Sequence, residues 1–427
     1  MAELPGVSLI VLNWDGKHHL SSCLGSLSEL DYPESRLEVI LCDNGSTDGS
    51  VEFVKAKFAR VKVIALDRNY GFAEGNDRAA REAGGEWVGF LNNDMWVKPS
   101  WVKDMLATLE ERPDAACIAS RIVNWDGSAL DFVGGGVNFM GQAFQLDQGK
   151  RESPHDRSRR LLFACGGAML IRRDLFLEVG GFDPDFFAFF EDVDLGWRLN
   201  VLGHDVWYTP RATAYHRHHS TARRIQPHKL RALTERNALA TIYKCYDDQN
   251  LAVALPAALM LLNERALRMS KLDPPRFELG GGAADRGTTS QPLSTVEPQA
   301  PSLAAKARRV LSEEGFVAAC RRSVHFVLAL VVDGLIAILN VFGGPSYRVS
   351  GVAASHYVAL SQFAHQLDSL NEKRAWIQGR RRRTDAEIVP LFQEPFYAGY
   401  SDERYAQFLR WLSRVQGLER RFSSEPD

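Results

Sequence analysis

The feature that most constrains the fold is an alternation of apolar runs and helix-like segments in the N-terminal part of the chain. Short apolar runs end at Leu12, Cys42, Leu66 and Leu91, and a segment with helical spacing of apolar residues follows each run. Buried parallel strands are continuous apolar runs, and the helices between them cover both faces of the sheet. The sequence therefore predicts an α/β fold with a doubly wound, mostly parallel sheet.

Each predicted strand ends in a polar loop. The carboxyl ends of parallel strands share one edge of the sheet, where ligands of open α/β sheets bind. We therefore expect six polar side chains to converge on one ligand: Asn13, Asp43, Arg68, Asn69, Asn92 and Asp94. Asp94 at the end of the fourth strand suits a hard divalent cation that bridges to phosphate oxygens. An ordinary strand-end turn is the alternative, because Asn and Asp are common turn residues.

A second polar cluster consists of Glu191, Asp192 and Asp194, where an aromatic stretch ends and a helix is predicted to begin. Carboxylates in the first turn of a helix are stabilised by the helix dipole, which gives the cluster a purely structural interpretation. The functional interpretation is a site with perturbed carboxyl groups. The sequence leaves both open.

A third cluster runs from Tyr215 to Ser220, contains three histidines and is followed by Arg223 and Arg224. Histidine is a common metal ligand, and the arginine fork matches phosphate geometry. The pattern therefore predicts a loop that contacts a metal or a phosphate. A solvated basic surface loop is the alternative.

Net charge and cysteine usage limit the possible binding partners and the cellular compartment of the protein. The 427 residues carry a formal net charge of -2, so no global positive field favours nucleic acid as a partner. The six cysteines are scattered without a CxxC pair, which is typical of buried thiols in a reducing compartment. The first strand begins close to the N-terminus, so we expect no signal peptide. We expect a cytoplasmic protein, with a peripheral position on the inner face of the cell membrane as a further option.

The C-terminal part is predicted to be helical around a flexible linker. The apolar stretches Leu251–Leu262 and Val324–Phe342 are too short, or too interrupted by polar residues, to favour a membrane span. We expect them to pack on one another or to lie in the membrane interface. A basic cluster lies at Glu372–Arg374 and Arg380–Arg383. It has two equally weighted interpretations: it binds an anionic lipid surface, or it is the solvated face of a helix.

The order and spacing of several motifs resemble one known family. The chain resembles the family 2 glycosyltransferases of the GT-A fold, and more narrowly their bacterial rhamnosyltransferase-like branch. The motifs that carry the resemblance are VSLIVLNWDG (7–16), CDNGSTDGS (42–50), RNYGFAEGN (68–76), FLNNDM (90–95), GGAMLIRR (166–173), GGFDPDFFAFFEDVDLGWR (180–198) and YHRHHS (215–220). They cover residues 7 to about 245. The predicted domains are a GT-A catalytic domain (1–245), an apolar helical segment (246–272), a linker (273–303) and a helical C-terminal region (304–427).

The resemblance implies inverting transfer of a sugar from a nucleotide diphosphate donor, with Mg²⁺ or Mn²⁺ as cofactor. It places the donor on Asn13, Asp43, Arg68, Asn69, Asn76, Asn92 and Asn93. Asn92 stands where the family's DxD motif has its first aspartate. The metal role therefore falls to Asp94, with His216 as a distal contact to the metal or the diphosphate.

The resemblance also implies the acceptor side of the reaction. Asp192 would be the catalytic base, and Glu191 and Trp197 would contact the acceptor. An inverting transfer needs one base to take the proton of the acceptor hydroxyl as that hydroxyl attacks. The branch favours dTDP-rhamnose as the donor, with a UDP-sugar as an alternative. The acceptor would be a glycan or a lipid-linked glycan in the synthesis of cell-surface polysaccharide.

Two other classes of function compete with this interpretation. A sugar nucleotidyltransferase also binds nucleotides on a doubly wound sheet. It would need a Gly-rich basic first loop, which Asn13–Gly16 is not. A glycan- or lipid-binding module without catalysis is the other alternative. The joint presence of Asp43, Asp94 and Asp192 argues against such loss of activity.

Overall fold

A computed structural model describes residues 4–217, 225–270 and 349–423 of the chain. The strands in these ranges are β1 Val7–Asn13, β2 Leu37–Asp43, β3 Lys62–Ala65, β4 Trp87–Asn92, β5 Met95–Val97, β6 Ala115–Asn124, β7 Leu130–Phe132, β8 Gly135–Val137, β9 Ala143–Gln145, β10 Arg159–Leu161, β11 Ala168–Arg172 and β12 Asp205–His216. The predicted linker (273–303), the apolar stretch Val324–Phe342 and the basic residues of 218–224 lie outside the described ranges.

Helices cover the sheet and continue into the C-terminal part. In the described ranges they are α1 Lys17–Ser28, α2 Ser50–Lys57, α3 Gly71–Arg81, α4 Trp101–Leu106, α5 Thr108–Glu111, α6 Arg173–Glu178, α7 Glu191–Val201, α8 Pro227–Cys245, α9 Asp248–Ser270, α10 Gly351–His365, α11 Leu367–Gln378, α12 Asp385–Ile388, α13 Glu403–Val415 and α14 Leu418–Phe422. Across the ranges that the structure describes, none of these helices combines the length and the apolarity that crossing a bilayer requires.

The main sheet has the strand order β10-β12-β6-β11-β4-β1-β2-β3. The first four strands of the chain are parallel, and β11 runs antiparallel between β4 and β6. The core strand β1 is buried along almost its whole length, as its unbroken apolar run requires. This arrangement confirms the predicted doubly wound, mostly parallel α/β sheet.

The register of the parallel strands positions the polar loops. Asn13 of β1 lies beside Asp43 of β2, and Leu12 lies beside Asn92 of β4. The carboxyl ends of three neighbouring strands therefore reach the same level of the sheet. Polar residues that follow the apolar runs must then meet at this edge.

Strand β12 is longer than the sequence indicates. The alternation of apolar residues ends at Tyr208, but the strand continues to His216. Its pairing with β6 shifts register between Thr209 and Thr213, so the intervening residues leave the ladder and hide the periodicity. His216 is thus the last residue of a strand, which corrects its predicted position in a loop.

Two of the three consecutive glycines Gly134–Gly136 lie in a strand. Gly135 and Gly136 belong to β8, which pairs with β9. A Cβ atom on Gly135 would lie 2.1 Å from the ring of Phe163, and one on Gly136 would lie 2.2 Å from the ring of Phe144. The glycines are therefore needed because two aromatic rings lie directly against this strand.

The C-terminal helices belong to the same compact unit as the sheet. One unit comprises Met1–Leu261 and Val358–Asp427, and the other comprises Leu262–Tyr357. The first unit therefore does not end at the predicted boundary of residue 245. It continues into α9 and resumes in α10.

The predicted basic cluster explains part of this cohesion. Arg374 donates to the carbonyls of Tyr243 and Tyr246 at 2.6 and 2.7 Å, and Arg381 forms an ion pair with Asp385 at 2.9 Å. Donors at the C-terminus of a helix satisfy carbonyls that have no partner within the helix. Several of the cluster's charges thus cap α8 and bind neighbouring segments, and Arg380 and Arg382 remain exposed.

Candidate active site

Asn13 connects the ends of three strands. Its Nδ2 donates to Asp43 Oδ1 at 3.0 Å, and its Oδ1 accepts from Asn93 Nδ2 at 2.7 Å. Asp43 also accepts from the backbone N–H of Ser46 at 2.9 Å. A buried amide with this donor and acceptor pattern fixes the orientation of the Asp43 carboxylate. The predicted convergence of Asn13 and Asp43 agrees with this geometry, and Asn93 joins them.

The loop after β3 is held by a residue that sequence reasoning missed. Asn44 Nδ2 donates to Asn69 Oδ1 at 3.0 Å and to the Gly71 carbonyl at 2.9 Å, and Asn44 Oδ1 accepts from Tyr70 N at 2.9 Å. Arg68 is exposed, and its guanidinium lies 4.7 Å from the centre of the Tyr70 ring. Asn69 and Arg68 thus lie at the predicted edge, with Asn44 as their support.

Asn76 does not reach this edge. Only 1% of its surface is exposed, and its Nδ2 donates to the carbonyl of Phe72 in the same helix at 3.0 Å. The structure therefore corrects the predicted donor contact and gives Asn76 a role within α3. The motif that contains it spans both the loop and the helix, so its members face different surroundings.

Asp94 and His216 form the candidate metal pair. Strand β5 pairs with β12 so that Met95 lies beside His216, and this register brings Asp94 next to the histidine. His216 Nε2 lies 3.4 Å from Asp94 Oδ1, and His216 Nδ1 lies 2.6 Å from Asp131 Oδ2. The imidazole therefore lies between two buried carboxyl groups.

The charges around His216 change its protonation. Burial alone would lower its pKa, but the hydrogen bonds and charges of Asp131 and Asp94 outweigh burial and raise the pKa to about 9. Without a bound cation, this imidazole is protonated at neutral pH. Asp131 comes from β7, where no sequence motif singles it out.

These donors form an incomplete ligand set for a divalent cation. Among the described residues, no group of three or more His, Cys, Asp or Glu side chains could hold a metal. Asp94 and His216 can supply two ligands, and a carboxylate on the other imidazole nitrogen is the usual support of a metal-binding histidine. Cations at nucleotide sites commonly take their remaining ligands from substrate phosphates and water. The pair therefore fits a cation that is completed by a diphosphate.

Two glycines bring the second carboxylate cluster to the end of β4. A Cβ atom on Gly167 would lie 2.8 Å from Asn92 Nδ2, and one on Gly166 would lie 3.3 Å from Asp192 Cβ. The backbone N–H of Gly166 also donates to Asp192 Oδ2 at 2.9 Å. A single Gly-Gly step thus separates Asn92 from Asp192, because neither glycine has a side chain to hold them apart.

Asp192 and Glu191 begin α7 and differ in their partners. Asp192 is partly exposed and accepts from Gly166 N and from its neighbour Val193 N. Burial raises the pKa of Asp192, and these backbone hydrogen bonds oppose the rise. Glu191 is 6% exposed, and its Oε2 accepts no hydrogen bond from the described residues. Burial and the charge of Asp192 raise the pKa of Glu191 well above its usual value.

The segment that delivers these carboxylates is strained. Phe187, Phe189 and Phe190 have φ values of 62°, 66° and 68°, which side-chain-bearing residues rarely adopt. Each such residue costs on the order of 1–3 kcal/mol and persists only where its surroundings impose it. Strain of this kind is concentrated at functional sites.

Asn237 of α8 imposes this conformation. Its buried Nδ2 donates to the carbonyls of Phe186, Ala188 and Phe189 at 3.1, 3.1 and 2.7 Å. The adjacent Arg236 donates to the Phe186 carbonyl and to Asn237 Oδ1 at 3.1 and 2.8 Å. We call Arg236 and Asn237 the α8 clamp. Sequence reasoning placed both residues on a helix but gave them no role.

Asp194 belongs to a buried ion network and not to the site. It pairs with Arg198 at 2.7 Å and with Lys244 Nζ at 2.7 Å, and Lys244 also contacts Asp183 at 2.5 Å. Lys373 of α11 reaches the same Asp183 at 2.5 Å. The helix-start cluster therefore combines both interpretations: Glu191 and Asp192 line the site, and Asp194 stabilises the fold.

Trp197 does not contact an acceptor surface. It is fully buried, and its ring centre lies 5.0 Å from that of Tyr246 and 4.9 Å from that of Phe392. This packing corrects the acceptor-binding prediction for Trp197. The residue therefore faces the packed interior between α7, Tyr246 and Phe392.

The chain is similar to glycosyltransferases in its N-terminal half. Residues 8–180 match the model of the Glycosyl transferase family 2. The O-antigen biosynthesis protein RfbC of Myxococcus xanthus is 32% identical over 230 residues, which are 52% of this chain and 18% of that protein. This chain thus spans less than a fifth of that relative. The family match and the sheet order together confirm the predicted GT-A fold.

A second relative is shorter. The N-acetylglucosaminyl-diphospho-decaprenol L-rhamnosyltransferase of Mycobacterium tuberculosis strain H37Rv is 28% identical over 239 residues, which are 50% of this chain and 77% of that protein. Among solved structures, the crystal structure of GalNAc-T7 with UDP, GalNAc and Mn²⁺ has a TM-score of 0.48 and 18% identity over 60% of this chain and 52% of that chain.

Proposed function

Because residues 8–180 are a domain of the family 2 glycosyltransferases, we propose that the protein transfers a sugar, with inversion, from a nucleotide diphosphate donor to an acceptor hydroxyl. The approach of Asp192 to the carboxyl end of β4 carries this proposal. Gly166 and Gly167 bring the Asp192 carboxylate close to the strand ends at which the nucleotide would bind. A transfer reaction needs this adjacency of a donor site and a base.

The nucleoside would lie at the carboxyl end of β2 beside Asp43, whose carboxylate the fully buried Asn13 would hold in place. The Asp43 carboxylate keeps lone pairs for an imide N–H of a pyrimidine, although Asn13 and Ser46 already donate to it. The diphosphate would then extend toward Asp94 and His216. Asn92 would contact the ribose or the sugar, because it ends β4 beside Gly167.

Asp192 would carry the chemistry. The acceptor oxygen attacks the anomeric carbon, its proton passes to Asp192, and the bond between that carbon and the diphosphate oxygen breaks. The hydrogen bonds from Gly166 N and Val193 N keep the carboxylate oriented before it accepts the proton. A divalent cation held by Asp94 and His216 would neutralise charge on the leaving diphosphate.

The proposal extends to the substrates and the location. Rhamnose from dTDP-rhamnose is the favoured donor sugar, supported by the named activity of the mycobacterial relative. A UDP-sugar is the alternative donor. The same name supports a lipid-linked acceptor, and a free glycan is the other candidate. We assign the protein to cell-surface polysaccharide synthesis on the inner face of the membrane.

The decisive test is a panel of dTDP-, UDP- and GDP-sugars incubated with the full chain and Mn²⁺ or Mg²⁺. Release of the nucleoside diphosphate from one donor is expected, and it should depend on the added cation. Release of pyrophosphate from a nucleoside triphosphate would instead indicate a nucleotidyltransferase. Binding without any release would indicate a module without catalysis.

Asp131 gives a prediction about the cation. Asp131→Asn is expected to weaken Mn²⁺ binding about 10–100-fold, because the carboxylate that orients His216 is lost. The measurement is free Mn²⁺ by electron paramagnetic resonance in the presence of dTDP. Asp126→Asn, at an exposed position nearby, is the matched control. Equal Mn²⁺ affinity in both variants would remove Asp131 from the metal site.

Helix α13 gives a prediction about the membrane. Trp411 and Val415 are 54% and 64% exposed, and the exposed Arg410 and Arg414 flank them. Exposed apolar residues beside cations suit an anionic bilayer surface. The chain is expected to sediment with vesicles that contain phosphatidylglycerol, and the double variant W411S/V415S should bind several-fold less. Equal sedimentation of both proteins would rule out contact through this helix.

A further inference from the structure

Two loops from distant parts of the chain meet at one backbone contact. The carbonyl of Phe187 accepts from the backbone N–H of Phe72 at 2.5 Å and from that of Ala73 at 3.2 Å. Phe72 and Ala73 lie in the first turn of α3, where backbone N–H groups have no acceptor within the helix. The loop before α7 therefore supplies an acceptor to the positive end of α3.

Gly71 makes this contact possible. It has a φ of 85°, which glycine adopts without strain, and a Cβ atom on it would lie 2.4 Å from the Phe187 carbonyl oxygen and 2.7 Å from the Phe187 ring. Phe187 has a φ of 62° and is 43% exposed, so burial of its ring does not explain why this strained conformation persists. The hydrogen bonds that its carbonyl accepts help to hold it instead.

The carbonyls of this loop are divided between two helices. Asn237 of the α8 clamp donates to the carbonyls of three close neighbours of Phe187, and α3 donates to the carbonyl of Phe187 itself. Four consecutive carbonyls therefore have a fixed donor. Because Asp192 follows the last of them by three residues, its position depends on both helices.

The other side of the contact is the loop of residues 66–70 before α3, which we call the donor loop. Asn44 donates to the Gly71 carbonyl at 2.9 Å and to Asn69 Oδ1 at 3.0 Å, and Asn69 Oδ1 also accepts from Gly71 N at 2.8 Å. Asn44 directly follows Asp43 at the carboxyl end of β2. Gly71 is thus connected to the polar strand ends on one side and to the loop that presents Asp192 on the other.

We propose that Gly71 is a positioning residue: it allows the Phe187 carbonyl to reach the N-terminus of α3 and thereby sets the distance between the donor loop and the Asp192 carboxylate. Gly71 has no side chain that could take part in the chemistry, and it acts through Phe187. The role of Asp192 as the base rests on the proposed glycosyl transfer. A misplacement of about 1 Å can lower a rate about 10²-fold, so a small shift of this loop would suffice to reduce turnover.

Gly71→Ala in the full chain is expected to lower kcat about 10–100-fold, because its Cβ atom must displace the Phe187 carbonyl. Gly149→Ala is the matched control. Gly149 has a φ of 81°, and a Cβ atom on it would meet nothing within 4 Å. This control introduces the same backbone strain without the collision, so it should keep the wild-type kcat. Steady-state kinetics with the donor that the wild type uses gives both values.

The same substitution in the Asp192→Asn variant shows whether Gly71 acts through the base. If it does, Gly71→Ala should not lower the residual kcat of that variant further, because the effects of residues that act as a unit do not add. A purely structural role would lower kcat by the same factor in both backgrounds. That result, or an equal kcat for Gly71→Ala and Gly149→Ala, would overturn the proposal.

Amide hydrogen exchange, followed by mass spectrometry, tests the contact without turnover. In the wild type, the amides of Phe72 and Ala73 should exchange slowly although they lie in the first turn of a helix, because the Phe187 carbonyl binds them. Residues 186–192 should exchange faster in Gly71→Ala than in Gly149→Ala. Rapid exchange of both wild-type amides, or equal exchange of residues 186–192 in the two variants, would refute the contact and with it the proposal.

The proposed reaction can fail separately. Failure of the wild-type chain to release nucleoside diphosphate from any donor would refute the glycosyl transfer. Hydrogen exchange would still decide whether Gly71 holds the loop before α7 in place.

Discussion

Replacement of Asp192 by asparagine is expected to lower kcat by about 10²–10⁴-fold, the usual contribution of general base catalysis. The amide keeps the size of the side chain and can still accept from Gly166 N, so the loop should retain its structure. It cannot take a proton from the acceptor hydroxyl. The affinity for the nucleoside diphosphate should stay at the wild-type value, because Gly166 and Gly167 separate Asp192 from the proposed nucleotide site.

Steady-state kinetics with the active donor and calorimetry with the nucleoside diphosphate measure the two quantities separately. Asp174→Asn, at a side chain that is 97% exposed, is the control. Because burial raises the pKa of Asp192, wild-type kcat/KM should fall with decreasing pH at values above the ordinary aspartate pKa of about 3.9. The opposite pattern, with turnover retained and nucleotide affinity lost, would show that Asp192 is not the base.

Replacement of Lys244 by methionine is expected to lower the free energy of unfolding by about 3–5 kcal/mol. Lys244 is 1% exposed and neutralises both Asp183 and Asp194, at 2.5 and 2.7 Å. Methionine fills a similar volume but leaves two buried carboxylates short of positive charge. Urea unfolding followed by circular dichroism gives the difference.

The pH dependence of this loss has a defined sign. Burial alone would raise the pKa of Asp183, but the charges of Lys244 and Lys373 outweigh burial and lower it. A lowered carboxyl pKa contributes stability above the unfolded pKa, and this stability is lost as the pH falls. The variant and the wild type should therefore converge at acid pH. Lys103→Met breaks an exposed pair with Asp31 and should cost no more than about 1 kcal/mol, so an equal loss in both variants would contradict the prediction.

The sequence predicts the convergence of polar residues at the strand ends well because its signals are local. Each strand of the parallel half is one unbroken apolar run, and the polar residue that ends the run is adjacent to it in the chain. Asn13 and Asp43 therefore meet as predicted once the strands align, and Asn93 joins them. Their contacts follow from the register alone.

The parts of the site that sequence reasoning missed depend on distant partners. Asp131 gains its role from His216, and the two meet only because β7 and β12 both pair with β6. Asn237 looks like an ordinary polar residue of an amphipathic helix, and its three carbonyl partners are in the aromatic segment near residue 188. Nothing in the local sequence indicates such pairings.

The wrong predictions of a donor contact for Asn76 and of an acceptor contact for Trp197 have a related cause. Trp197 and Asn76 both lie inside motifs whose other members reach the site, but a helix turns successive residues to different faces. Trp197 packs against Phe392, and Asn76 faces the protein interior from its position in α3. A motif identifies the segment, and only the packing around the helix determines which of its residues reach a ligand.

The α8 clamp has a consequence for how such enzymes diversify. Residues 8–180 match the family model, whereas the amide that holds the strained phenylalanines is residue 237. Replacement of everything after β12 would leave the polar strand ends of the sheet intact and would remove the contacts that hold the loop before α7. An exchange of this C-terminal part between relatives is therefore expected to preserve that loop only if the incoming segment supplies an equivalent donor.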